Sequence, residues 1–515
     1  MTGRSPPILL RALVALAAVI AIASALWRLD AAGAGVTVTT IDVDGTPATV
    51  FRPAAEALGP VVVIAHGFAG SQQLMRSFAL TFARNGYVAV TFDFLGHGRN
   101  PEPLAGSITE ERGATRALVA ETARVAAVAR GLSDGRLAVL GHSMASDIVV
   151  RFAQSSPDVA ATIAVSMFSP VVTATTPANL LVVVGDWEGM LKQEALRAVG
   201  LAAAPSQPEA GVTYGDVAQG TGRRAAFSPH VEHASVLYSQ ASLREAVGWL
   251  DQTFGVARPT GLVLDSRGPW ILLLVAGVVA LAWPLSALLP HVAVPAVGAG
   301  LGWRRMWPAL LVPMIATPLL LRVLPTHFLP VLVGDYLAAH FALYGAITAA
   351  CLVWLRRGAD GARAPAPVTS PAAFVVAAAA VVAFGFVALV WPIDQFVTSF
   401  VPGPGRVTLV LAMLAGTLLF FLSDEWLTRG ERAARGAYAT AKLAFLISLA
   451  IAVALDFERL FFLIIIVPVI VLFFLVYGLF STWVYRSTGH PLVAGIASAV
   501  AFAWAIGVTF PLLAG

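Results

Sequence analysis

The chain has 515 residues, of which 58% are hydrophobic and only 12% charged, against about 25% charged in an ordinary soluble protein. That deficit, with a mean hydropathy of +0.80, excludes a wholly soluble protein and a disordered one, and implies segments that live in a membrane. Residues 31–268 hold 17 basic and 20 acidic residues, whereas residues 269–515 hold 13 basic and eight acidic. The basic excess therefore belongs to the apolar region, and no nucleic-acid partner is expected from it.

Read from the N-terminus, Arg4 and Arg11 precede or open an apolar stretch that runs from Ala12 to Leu26. Residues 1–30 read as a signal peptide, with Ala23-Ser24-Ala25 as a small-residue cleavage site, or as a retained signal anchor; either exports the chain on its C-terminal side. Residues 36–255 read as an α/β domain. Val36–Val43 and Thr46–Arg52 alternate around Asp44-Gly45, the signal of a hairpin. Short apolar or β-branched runs recur at Val61–Ala65, Val88–Phe92, Leu137–Leu140, Ala161–Val165 and Leu180–Val184. Continuous runs of this length suit strands of a mostly parallel sheet covered on both faces. Ile108–Arg130 has the spacing of an amphipathic helix, and residues 256–268 form a polar linker with Pro and Gly.

From residue 269 to 515 the pattern is that of an all-α polytopic membrane domain. Eight spans are predicted, at 269–289, 307–325, 329–355, 371–391, 407–427, 437–455, 460–480 and 491–513. Most have about 20 residues, or roughly 30 Å of helix, which matches a hydrocarbon core. Val292–Trp303 reads as a loop or a re-entrant segment. Alternate loops carry Arg304 and Arg305; Arg356, Arg357 and Arg363; Arg429, Arg432 and Arg435; and Arg486. Placing these inside puts the N-terminus in the cytoplasm and the α/β domain outside it. Only Lys192 and Lys442 among the basic residues are lysines, a composition that reads as a GC-rich bacterial genome, so the membrane expected is a bacterial plasma membrane. Asp335 and His340, within one span, are candidates to line a cavity. Asp424, Glu425 and Lys442 are expected to pair or to reach the interface. Cys351 is the sole cysteine, so no intrachain disulfide can form.

Three motifs carry chemistry. Gly141-His142-Ser143-Met144-Ala145 comes after the run Leu137–Leu140 and precedes the helical pattern Ser146–Gln154. A serine at such a sharp strand-to-helix turn stands out above the sheet, and small residues flank it because strand and helix pass close together. Alone, the same string also fits a tight turn with a capping serine. His66-Gly67-Phe68-Ala69-Gly70-Ser71 comes after Val61–Ala65, where a glycine lets backbone N–H groups face a developing oxyanion. Asp93-Phe94-Leu95-Gly96-His97-Gly98-Arg99 comes after Val88–Phe92. With these three in this order, residues 36–255 resemble the α/β-hydrolase superfamily. His142-Ser143-Met144 is similar to its monoacylglycerol lipase, lysophospholipase and serine aminopeptidase-like branch, from which Ala145 departs, since that branch usually has glycine there.

The resemblance implies an α/β-hydrolase fold and a Ser-His-acid triad in the chain order serine, acid, histidine. Ser143 is then the nucleophile. Of nine histidines, only His230 and His233 lie beyond Ser143 without falling among the apolar spans. His233, just before the closing helical pattern Ala234–Phe254, fits the family's histidine turn better than His230. The family's acid comes after the strand Leu180–Val184 by way of a glycine; Gly185 plus three is Glu188, which is favoured over Asp186. Backbone N–H groups of Phe68 and Met144 are implied as the oxyanion hole, with Gly67, His66, Gly141, His142 and Asp93 as supports of the motifs. No metal-ligand spacing, phosphate loop or dinucleotide fingerprint occurs in the sequence, so no metal or organic cofactor is expected. The function expected is a membrane-tethered serine hydrolase of esters, lipid or cell-envelope acyl esters among them. A peptidase or acyltransferase of the same fold, or a transporter or scaffold with an accessory hydrolase domain, are the alternatives.

Overall fold

A computed structural model describes residues 8–54, 58–106, 111–204, 206–258, 261–357 and 367–514. The elements begin with helix α1 (Ile8–Ala31), strands β1 (Val36–Val43), β2 (Thr46–Pro53) and β3 (Val61–Ala65), helix α2 (Arg76–Arg84) and strand β4 (Val88–Phe92). Next come α3 (Arg116–Gly131), β5 (Leu137–His142), α4 (Met144–Ser155), β6 (Val159–Val165), β7 (Leu180–Gly185), α5 (Gly189–Ala203), β8 (Thr213–Tyr214), β9 (Arg223–Ser228) and α6 (Gln240–Phe254). The remaining chain is helical: α7 (Arg267–Ser286), α8 (Trp303–Leu321), α9 (Gly334–Arg357), α10 (Pro371–Gly385), α11 (Trp391–Phe396), α12 (Pro404–Thr428), α13 (Ala437–Leu455), α14 (Phe457–Leu460), α15 (Phe462–Thr488) and α16 (Pro491–Thr509). The chain divides into two compact units. The α/β unit comprises Ala23–Leu274, Ile393–Phe400 and the residues from Pro511 onward; the helical unit comprises the residues up to Ile22, Val275–Pro392 and Val401–Phe510.

The α/β unit is built on a nine-stranded sheet in the order β1-β2-β4-β3-β5-β6-β7-β9-β8. The pairs from β4 to β9 are parallel, and β1, β2 and β8 join antiparallel at the edges. Pleating explains why the inner strands read as unbroken apolar runs. Val62 and Ile64 of β3 pack with Phe78, Phe82, Leu243 and Trp249 of α2 and α6. Val61, Val63 and Ala65 of the same strand face Leu118, Val125, Val149 and Phe152 of α3 and α4. Each such side chain, fully removed from water, contributes about 1.5–3 kcal/mol of burial free energy. The helix expected from Ile108 begins later: residues 107–110 lie outside the described residues, and a kinked turn at Glu111–Thr115, broken at Gly113, precedes α3.

The stretch 256–268, expected as a linker, belongs to the α/β unit and is better anchored than its composition implied. Asp265 is buried against α2, accepting a hydrogen bond from Ser77 Oγ at 3.0 Å and pairing with Arg267 at 2.8 Å. Asn85 ties down Val263 through both its amide and its carbonyl oxygen. A polar stretch can pack this way because its own carboxylate and backbone find partners.

Among the described residues eight helices are long and apolar enough to cross a membrane: α1, α7, α9, the run Pro371–Phe396, Gly405–Thr428 within α12, α13, α15 and α16. The span expected at 307–325 differs. Its helix, α8, starts at Trp303, so Arg304 and Arg305 fall within its first turn, and it carries Pro308, Pro313 and Pro318; it is not among the eight. Within the helical unit, helices meet at small residues. A Cβ on Gly345 or Gly416 would press on the backbone of Leu419 or of Ala338, so α9 and α12 touch almost backbone to backbone there. Phe341, Phe420, Phe421, Phe445, Phe474 and Phe502 fill the centre with stacked and edge-on rings.

Candidate active site

Ser143 sits at the turn from β5 into α4 with φ 55° and ψ −119°. A non-glycine residue in such a conformation stores about 1–3 kcal/mol and persists only when its surroundings hold it. Here Ser143 N–H donates to Val165 O at 2.9 Å, and its carbonyl accepts from Ser146 N at 2.9 Å and Ser146 Oγ at 2.5 Å. A side chain on Gly141 would collide with the Ala145 carbonyl, and one on Gly67 would reach Ser143 Cβ at 3.0 Å. Those two glycines let strand, helix and the His66–Ser71 loop converge on the serine. Ala145 is fully buried at this crossing, so its methyl group is accommodated where the related branch has glycine.

Three side chains line up on that turn. Ser143 Oγ lies 2.9 Å from His233 Nε2, and His233 Nδ1 lies 2.6 Å from Glu188 Oε1. A carboxylate can only accept, so Nδ1 carries the ring proton of neutral His233 and Nε2 is left to accept from the serine hydroxyl. Glu188 is nearly buried, while the His233 side chain is 40% exposed. Burial works to raise the Glu188 carboxyl, but bonds from His233, the Gly185 N–H and Ser166 outweigh it and hold the group below the ordinary glutamate range. Its second oxygen accepts from Gly185 N at 2.7 Å and Ser166 Oγ at 2.8 Å, which leaves Oε1 to the histidine.

The rival residues lie elsewhere. Asp186 pairs with Lys192 Nζ at 2.8 Å on the surface, and that bond holds its carboxyl below the ordinary aspartate range. His230 is exposed, with φ 58°. His142 is close to the line without being part of it. Its Nε2 lies 2.9 Å from the His233 carbonyl oxygen, and since a carbonyl only accepts, Nε2 is protonated. Burial, then the neighbouring His233, push the His142 imidazole down to about 3, so it stays neutral and steadies the backbone that carries His233.

The loop opposite is fixed by buried polar groups. His66 Nε2 accepts from Phe94 N at 3.1 Å while Nδ1 donates to Gly67 O at 2.8 Å; burial holds this imidazole below its ordinary range. Asp93 accepts from Gln72 N at 2.8 Å and from Arg99 N at 3.0 Å, tying the second motif to the third. Glu121, fully buried, accepts from Thr46 Oγ1, Leu95 N and Asn100 Nδ2; burial raises its carboxyl to about 6 in spite of those bonds. Met144 is the first residue of α4, so its N–H belongs to the amides that lack an intrahelical acceptor, and Phe68 lies on the facing loop.

Sequence reasoning passed over Ser166 and the backbone role of His142. Ser166 has φ 52° just past β6, and no local spacing marks it; only the pairing of β6 with β7 brings it to Glu188. Phe168, Trp187 and Met190, at the ends of β6 and β7 and the start of α5, are 67%, 66% and 79% exposed. Among the described residues no three His, Cys, Asp or Glu side chains gather to hold a metal ion.

Residues 57–200 match the family model of serine aminopeptidase, S33. No curated protein matches. Among solved structures, an epoxide hydrolase from Vigna radiata is 23% identical, with 26% of this chain and 40% of that one covered at a TM-score of 0.22. This chain thus spans less than half the length of that enzyme. A protein from Thermus thermophilus is 19% identical over 43% of this chain and 99% of its own, with a TM-score of 0.32. A membrane phospholipase A, described as a novel bacterial virulence factor, is 15% identical over 47% of this chain and 91% of its own, with a TM-score of 0.30.

Proposed function

We propose that residues 36–255, of which 57–200 match the model of serine aminopeptidase, S33, make the protein a serine hydrolase that cleaves carboxylic esters of apolar acyl groups. The observation that carries this reading is the unbroken line Ser143 Oγ, His233, Glu188, with contacts of 2.9 and 2.6 Å. In it, His233 Nε2 takes the hydroxyl proton as Ser143 Oγ bonds to the acyl carbon. Glu188 keeps the ring oriented and stabilises the imidazolium that forms. The Phe68 and Met144 amides receive the oxyanion. His233 then returns its proton to the leaving alcohol, and water, deprotonated by the same nitrogen, releases the acid from the acyl-enzyme.

An apolar acyl group suits the exposed Phe168, Trp187 and Met190, which are close in sequence to Ser166 and Glu188. The connection from Ser166 to Asn179 is too short to hold a capping domain, which leaves the site open to substrates presented at a surface. The eight apolar helices support an integral membrane protein; with α8 counted as a further span, as the sequence pattern has it, the alternating arginines support a bacterial plasma membrane with the hydrolase outside the cytoplasm. A reporter active only outside the cytoplasm should give signal when fused at Gly255 and none at Gly361, which lies outside the described residues. Signal confined to Gly361 discards the envelope-substrate reading.

The enzymatic reading is tested on membranes holding the full chain. A fluorophosphonate probe should label the wild type and not Ser143→Ala, and ester turnover should fall by about 10⁴–10⁶ in the variant at equal insertion. Turnover of Ser143→Ala equal to wild type removes the nucleophile assignment. Aminoacyl amides cleaved in preference to esters would move the protein to the peptidase reading. A wild type that neither reacts with the probe nor turns over substrate would leave an accessory domain.

A further inference from the structure

The His66–Ser71 loop is held by a segment more than three hundred positions later in the chain. Residues Ile393–Phe400 are the end of α11 and the first residues after it, yet they pack within the α/β unit. Their hydrogen bonds close a ring. Ser399 N–H donates to Ser71 Oγ at 2.8 Å, and the Thr398 and Ser71 hydroxyls are bonded at 2.8 Å. Ser399 Oγ donates to Gln73 Oε1 at 3.0 Å. From the next residue of the loop, Gln72 N–H donates to Asp93 Oδ1, and Asp93 Oδ2 accepts from Arg99 N. Arg99 Nη2 reaches Asp394 Oδ2 at 2.7 Å, and Asp394 Oδ1 accepts from Phe400 N at 2.8 Å, which returns the circuit to the segment it left.

Ser71, Asp93, Asp394 and Ser399 are all buried, while the Arg99 side chain, which closes the ring from outside, is 49% exposed; the loss of one member leaves buried partners unpaired. The C-terminal residues tie the neighbouring loop in the same way: Leu512 N–H donates to Gly96 O at 2.9 Å, and Leu104 N–H to Leu512 O at 2.8 Å. A hydrolase needs its oxyanion amides placed to within a fraction of an ångström. The amide of Phe68 lies three residues before Ser71, on the loop that the ring immobilises.

We propose that Ile393–Phe400 is a strut for the oxyanion side of the site, and that Asp394 and Arg99 are positioning residues for the reaction. A segment from the C-terminal half of the chain, itself part of the α/β unit, then completes the site. This inference rests on the Ser143 reading above.

The test uses the full-length protein with a short, water-soluble p-nitrophenyl ester, and rates are normalised to the number of active serines titrated by the probe. Asp394→Ala and Arg99→Ala should each lower kcat about 10- to 100-fold, the range for a misplaced oxyanion donor, while KM stays within about twofold. Arg99→Lys, which keeps a cation for Asp394, should recover most of the loss. The double alanine variant should be no worse than either single one, because both break one ring. Arg136→Ala, which removes an exposed ion pair with Asp134, should behave as wild type. Ser71→Ala removes one hydroxyl and serves if the larger variants do not fold; it should lower kcat in the same direction, by about 3- to 10-fold, the worth of one hydrogen bond.

An unchanged kcat per titrated serine in Asp394→Ala and Arg99→Ala overturns the proposal and leaves the segment a structural clasp. A rise in KM alone overturns it too, since that marks a contact with substrate. Failure of the underlying reading looks different: the wild type itself would not be titrated, or labelling would persist in Ser143→Ala.

Discussion

Two lines of polar and ionisable side chains run through this molecule, one in each unit, and they are built to opposite ends. In the α/β unit, Ser143, His233 and Glu188 are linked in order, and the line is open at one end: Glu188 is nearly buried, while the His233 side chain is 40% exposed. In the helical unit the charges close on one another. Asp424 and Lys442 are both buried and paired; Glu425 accepts from Ser481 Oγ at 2.6 Å and from Arg429 at 3.2 Å. Phe420, Phe421, Tyr438 and Phe474 surround the Lys442 ammonium. A group with a task leaves one valence for an outside partner, and a group whose task is internal spends all of them at home. Asp335, expected as a cavity residue, keeps to the second pattern, while His340, also expected there, keeps to it at Nε2 alone, its buried Nδ1 having no hydrogen-bond partner among the described residues. Asp335 Oδ1 accepts from Tyr336 N at 2.7 Å, and His340 is fully buried among Tyr336, Tyr344 and Phe445, with Nε2 3.1 Å from Ser448 Oγ. His340 packs against rings.

The comparison is broken most directly at the open line. His233→Ala and Glu188→Gln should lower kcat by about 10⁴-fold or more, whereas His230→Ala and Asp186→Asn should change it by less than about threefold, because surface substitutions away from special features cost within about 0.5 kcal/mol. Steady-state kinetics at equal expression decide it, and the reverse ranking would exchange the roles within each pair. His142→Phe, which keeps the ring and loses the bond to the His233 carbonyl, belongs between them, with a loss of about tenfold, the worth of a buried hydrogen bond of 1–1.5 kcal/mol.

The closed line is tested through stability. Lys442→Ala leaves the Asp424 carboxylate buried without its partner and should destabilise the helical unit by about 3–5 kcal/mol. The double variant Lys442→Met with Asp424→Leu should regain most of that, because apolar replacement of a whole buried pair is often neutral or better. Turnover per folded molecule should stay at the wild-type level in both, as read by thermal unfolding in detergent beside ester hydrolysis. A loss of turnover in the stable double variant would give this pair a part in the chemistry.

The smallest effect concerns Glu121, which holds the Phe94–Asn100 loop and is raised to about 6 by burial. A carboxyl with a raised folded value binds more protons folded than unfolded between about pH 4.3 and 6, so stability falls as pH rises through that window, by about 2 kcal/mol in all. Glu121→Gln should flatten this part of the melting-temperature profile. Glu188 acts with the opposite sign: its lowered carboxyl stabilises the fold above the ordinary glutamate range, and that contribution fades as pH falls through its folded value. A profile for Glu121→Gln as steep as wild type from about pH 4.5 to 6.5 would remove the assignment.

Much of this architecture is legible along the chain. Strand runs such as Val61–Ala65 and Val88–Phe92 coincide with β3 and β4 residue for residue, because a strand covered on both faces has no polar position to blur its ends. The turn at Ser143 announces itself through Gly141 and Gly67, since close approach leaves room for nothing larger. The resemblance to the α/β hydrolases favours Glu188 over Asp186, three residues past the strand-ending Gly185, and the structure brings Glu188 to His233 while Asp186 turns to Lys192.

What only the tertiary structure decided are the contacts between segments that share no local pattern. Nothing near Ser166 or His142 says that one supports Glu188 and the other the His233 backbone; sheet order brings them there. Nothing in Ile393–Phe400 marks it as part of the α/β unit, because its tie is made by hydroxyls, an amide and one carboxylate at and just past the end of α11. Periodicity and motif spacing report what a residue does with its near neighbours along the chain. Hydrogen bonds between residues about 300 positions apart leave no period to read, and their partners are chosen only when the sheet and helices have folded around them.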